Sequence, residues 1–156
     1  MTFATIHVVG SNNNLGRNAE NDAEYAARYA ANLEWVAETY DEAGAEGSAA
    51  VVLALQANVF EDNTAIPSGF DDFVNAVEQE TIAFGRPVLL LHGDSHYFRV
   101  DKPLVDGSGA RIESFTRAES FGDRDIHWVQ VSVDTGDPDV FWFEPEIVEA
   151  NTLPHS

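Results

Sequence analysis

Val88-Leu89-Leu90-Leu91-His92-Gly93-Asp94-Ser95-His96 decides the reading of this chain. Four apolar residues in a row are too few for an ordinary helix and suit a strand buried on both faces. They run straight into a turn that carries two imidazoles and a carboxylate. Upstream, Gly85 and Pro87 stop whatever precedes the strand. Ahead of them Phe70, Phe73, Val74, Val77 and Phe84 recur at helical spacing, with Ser68 and Asp71 placed like a capping box.

The pattern repeats toward the N-terminus. Ala49 to Leu55 is a second continuous apolar run, ending at Gln56-Ala57-Asn58. Before it, Ala26, Tyr29, Leu33, Val36 and Tyr40 recur at spacings of three and four, with Asn21 or Asp22 placed to cap and Gly44 placed to stop. Phe3 to Val9 is β-branched and apolar and halts at Gly10-Ser11-Asn12-Asn13-Asn14. The order is β-α-β-α-β, which implies right-handed crossovers and a parallel sheet. Short strands are expected further on at Ile112 to Thr116, Ile126 to Val133 and Val140 to Phe143, forming an antiparallel extension. No repeat and no long linker interrupts the 156 residues, so one domain is expected over 1–156.

Composition narrows the partners. Asp and Glu number 27 against 8 Lys and Arg, giving a net charge of −19, and Lys102 is the single lysine. Phosphate backbones and anionic membrane faces call for basic stripes that the scattered arginines do not form. With no cysteine, any metal must be held by nitrogen and oxygen ligands. No leader-like or membrane-spanning apolar stretch occurs. An acid-rich, lysine-poor surface fits a protein working in molar salt, where counterions screen self-repulsion, and the expected location is the cytoplasm of a halophile.

In a parallel α/β sheet, ligands bind outside the carboxyl ends of the strands. Three polar loops stand there: Gly10 to Asn14, Gln56 to Asn58, and His92 to His96. His92, Asp94 and His96 alternate, and such ligands suit a divalent transition metal. Gln56 or Asn58 adds a carbonyl oxygen, and Asn12 and Asn13 offer donors to a substrate oxyanion. Arg99 is placed to meet a phosphate. The competing reading is a Gly-Asp-Ser turn bonded to its own backbone, with His92 a satisfied core residue. Asp125-Ile126-His127 spells Asp-x-His, and Asp134, Asp137 and Asp139 fall in a turn without the Gly and Glu of a calcium loop.

Phe84 to Phe98, together with Val8 to Asn14 and Leu55 to Asn58, resembles the C-terminal half of calcineurin-like metallophosphoesterases. In that superfamily a late strand ends in Gly-His-x-His, whose histidines ligate two metals. The resemblance implies His96 as the last histidine, Asp94 in place of the first, and Gln56 near an earlier histidine ligand. It implies His92 in a supporting role and Mn, Fe, Zn or Mg as the ion, with metal-activated water attacking a small phosphoester. The earlier metal-binding motifs have no counterpart here. The resemblance therefore implies part of a larger hydrolase, completed by a missing half or by homo-oligomerisation through an exposed sheet, or else a non-catalytic binding and assembly domain on the same scaffold.

Salt adaptation carries a direct expectation. Far-ultraviolet circular dichroism of the chain weakens at low ionic strength and recovers in molar salt, whereas a spectrum constant across that range overturns the halophilic reading.

Overall fold

A computed structural model describes residues 1–61, 67–123 and 126–152. Five strands form one sheet in the order β1-β2-β3-β5-β4. They are β1 (Thr2–Thr5), β2 (Val51–Ala54), β3 (Val88–His92), β4 (Arg99–Asp101) and β5 (Phe115–Glu119). The pairs β1–β2, β2–β3 and β3–β5 are parallel, and β4 lies antiparallel on β5. Strands β6 (Trp128–Val133) and β7 (Phe141–Glu146) make a separate antiparallel hairpin.

Helix α1 (Ala19–Ala45) joins β1 to β2, and α2 (Asp71–Phe84) joins β2 to β3. Neighbouring strands β1 to β3 follow chain order, and both helices pack on one face of the sheet, as crossovers of one hand require. Alternation along the strands then divides the apolar residues. Val51, Leu53, Val88, Leu90 and Phe115 meet Tyr29, Val36, Phe73 and Val77 of the helices. Val52, Leu89 and Ala118 meet Val140 and Phe141 of the hairpin. A buried parallel strand needs apolar side chains on both faces, which is why Val88 to Leu91 is unbroken.

Local chemistry fixes the ends of the helices. Asn18, rather than Asn21 or Asp22, caps α1, accepting from the backbone of Glu20 and Asn21 at 3.0 and 2.9 Å. The start of α2 has no side-chain cap at Phe70. Instead the Tyr29 hydroxyl of α1 accepts the Phe73 N–H at 2.6 Å, satisfying a donor that the helix leaves open. The two helices also meet where the Tyr40 and Thr81 hydroxyls bond at 3.1 Å.

Two expectations shift. The strand expected at Ile112 to Thr116 lies at Phe115–Glu119, three residues later, because Arg117 and Glu119 are buried in it and their charges disguise it. Strand β4 has only three residues, too few to leave a periodic trace. The strand expected at Val140 to Phe143 runs over Phe141–Glu146, and its apolar residues divide by alternation: Phe141 is buried under the sheet, and Trp142 stays exposed.

After β1 the chain stays beside β2, with Ile6 donating to Ala54, and then turns through Ser11, Asn12, Asn13 and Asn14, all left-handed with φ between 54° and 71°. Asparagine tolerates that region better than other side chains. The turn presses on Gly69, where a Cβ would stand 2.2 Å from the Asn12 carbonyl oxygen. Gly69→Ala must move one of two backbones, and we expect a loss of about 1–3 kcal/mol in denaturant titrations.

Candidate functional site at the carboxyl ends of the strands

The three polar loops converge as the sheet topology requires, and Asp94 is their meeting point. Its Oδ1 accepts from Gln56 Nε2 at 2.6 Å, and its Oδ2 accepts from the Asn58 N–H at 3.0 Å. Gln56 in turn accepts the Gly10 N–H on Oε1 at 2.6 Å. The carboxylate lies so close to Gly10 that a Cβ there would stand 3.2 Å from both of its oxygens. One carboxylate thus ties the ends of β1, β2 and β3 together.

Behind it sits a buried ionic cluster built largely by β5. Glu119, fully buried, accepts the Ser95 N–H at 2.7 Å and pairs with Arg99 at 2.7 Å. Arg117 makes a two-pronged pair with Asp101 and donates to Asn58 Oδ1 at 3.1 Å. Asn58 completes its set by donating to Ser95 Oγ at 2.8 Å. Planar guanidinium groups suit such pairs, and Arg99 also lies over the Tyr97 ring. Arg117, Glu119 and Asp101 escape a sequence reading; the trace they leave is the charged pair Arg117-x-Glu119 at the end of an otherwise apolar strand.

His92 is buried next to this cluster. Its Nδ1 lies 3.7 Å from Glu119 Oε1, beyond hydrogen-bond range, and neither ring nitrogen has a partner among the described residues. Burial pushes its pKa down, opposed by the charge of Glu119 and assisted by Arg117 and Arg99.

The other expected site residues have different work. Asn12 donates to the carbonyls of Leu15 and Pro67 and accepts the Gly69 N–H. Asn13, fully buried, donates to the Gly69 carbonyl and accepts from Arg28. Both amides shape the left-handed turn. Arg99, expected to meet a phosphate, is paired with Glu119. His96 adopts φ 66° and faces Asp123, with Nδ1 to Oδ1 at 3.1 Å and half its side chain exposed. Asp134 and Asp137 accept from the backbone of Gly136 and Asp139, as in ordinary acidic turns. Asp125 lies outside the described residues. His127 accepts the Val148 N–H and packs on Phe121.

A divalent ion does not fit the donor set as arranged. Holding one between Asp94 and Gln56 requires oxygen from each. The Gly10 N–H fixes Gln56 Oε1 and turns the NH2 group toward Asp94. Among the described residues, no three His, Asp or Glu side chains gather into a metal-binding group.

No protein-family model matches the chain, and neither curated proteins nor solved structures yield a match. Nothing in these comparisons indicates a metallophosphoesterase. What stands is an α/β domain with a mostly parallel mixed sheet, an antiparallel hairpin and, among the described residues, no helix long and apolar enough to cross a membrane.

His92 gives a pH prediction. Its folded pKa lies below the ordinary value of 6.5, so the unfolded chain binds the extra proton, and stability falls as pH drops through about 6.5 toward the folded pKa. Melting temperatures measured from pH 7.5 to 5.5 should fall in the native chain and fall less in His92→Leu.

Proposed function

We propose that this chain is a binding and assembly domain on a scaffold of metallophosphoesterase type, without a hydrolytic centre of its own. The observation that carries the reading is the closure of the strand-end constellation. Gln56 and Asp94 spend their facing groups on each other, on Gly10 and on Asn58. Such a network, exposed at Gln56 and half-buried at Asp94, ties the three loops to one another. Large apolar side chains left in solvent, Phe3 and Trp35 among them, supply the contact surface that an assembly domain needs.

The second reading is a metal-dependent phosphoester hydrolase, with Asp94 and His96 as ligands and Gln56 and His92 in support. One observation favours it: Asp94 and the half-exposed His96 share one turn at the carboxyl end of β3.

Metal content and turnover of a generic phosphodiester, measured in high salt with manganese supplied, separate the two. The assembly reading expects neither bound metal nor turnover, and expects Asp94→Ala to lose about 1–3 kcal/mol of stability because two donors lose their acceptor. Stoichiometric manganese, with turnover that vanishes in His96→Ala, would establish the hydrolase instead.

A further inference from the structure

The hairpin covers only part of the sheet. Val131 and Phe143 pack against Val52, Leu89 and Ala118 over β2, β3 and β5, while on β1 the same face leaves Phe3 and Thr5 exposed. Phe3 there is 69% exposed. A groove of about 320 Å³ runs along Phe3, Thr5, Val52 and Ala54, with Trp35 of α1 at its β1 side. It shares Ala54 and Leu91 with a hollow of about 480 Å³ that reaches Val129 and Val131 of β6. The bare face therefore leads directly to one edge of the hairpin.

That edge is unprotected. Among the described residues β6 pairs with β7 alone, so its other side presents free backbone donors and acceptors. Natural edge strands are blunted by charge, proline or bulges, yet Trp128-Val129-Gln130-Val131-Ser132-Val133 carries no charge and no proline. Val129 and Val131, paired across the hairpin with Pro145 and Phe143, are only half-buried, and Val133 is 45% exposed. Their missing neighbour lies on the side of β1.

We propose that the free edge of β6 accepts one added β-strand from a basic partner polypeptide, laid over the bare face between β6 and Phe3. This deepens the assembly reading above and rests on it. Strands in a sheet are spaced by about 4.8 Å and packed sheets by about 10 Å, so an added strand falls above Ala54 and Leu91. Its side chains must alternate, apolar toward those residues and polar outward. The net charge of −19 selects basic residues for the outward positions. A second copy of the chain fits poorly as donor, because pairing its own β6 would push its five-stranded sheet into the layer held by β1 and β2, and because it carries the same charge.

The test uses the full chain at moderate salt and an acetylated peptide as long as β6 that alternates lysine and valine. A control peptide has the same composition, with its lysines and valines in separate blocks. The alternating peptide should slow hydrogen exchange at outward-facing amides of β6 by about tenfold or more. Phe3→Asn, at an exposed position that leaves the fold intact, should weaken that peptide's binding about fivefold. Equal protection by the control, binding without protection of β6, or burial of the β6 amides by self-association overturns the proposal. Phosphodiester turnover alongside specific β6 protection would remove the assembly reading's claim about chemistry and leave the strand site standing.

Discussion

The carboxylate of Asp94 holds together what the backbone alone leaves apart. Parallel strands have no hairpin turn to fix their carboxyl ends, and each of β1, β2 and β3 leaves the sheet into its own loop. Asp94 bonds the Gln56 side chain and the Asn58 backbone, and Gln56 passes the link to Gly10. A carboxylate accepts several donors at once, which an amide or hydroxyl of similar size does less well. Gly10 matters for the same reason: its missing Cβ makes room for the carboxylate.

From this point the polar interior extends inward through Ser95 to Glu119, Arg99, Arg117 and Asp101. Buried ion pairs contribute little net stability against apolar packing, but removing one member leaves an uncompensated charge and is costly. The cluster is therefore better understood as a constraint on geometry. It fixes β4 against β5, since Asp101 and Arg117 face each other in the antiparallel register and also share the ion pair. His92 lies beside it with neither ring nitrogen partnered among the described residues, and burial pushes its pKa down.

The two faces of the sheet are unequal. Two helices, tied to each other through Tyr29 and Tyr40, close one face. A two-stranded hairpin covers part of the other and leaves Phe3 in solvent. At the strand ends Asp94 and Gln56 bond to each other and to the neighbouring loops, while the sheet face toward β1 leaves Phe3 exposed.

The sequence by itself determined the alternation of strands and helices, because apolar periodicity reflects burial directly: Val88 to Leu91, Val51 to Ala54 and the two amphipathic helices were all legible. It also located the three loops that meet, since polar residues at strand ends follow from the topology of a parallel sheet. Tertiary structure decided what those residues do. Asn12 and Asn13 read as donors for a ligand, yet a run of left-handed backbone and contacts to Gly69, more than fifty positions away, employ them. Arg99 reads as a phosphate ligand, and Arg117 and Glu119 escape notice, until the fold pairs Arg99 with Glu119 and Arg117 with Asp101. A side chain's availability depends on what the fold brings to it, and that information is absent from local spacing.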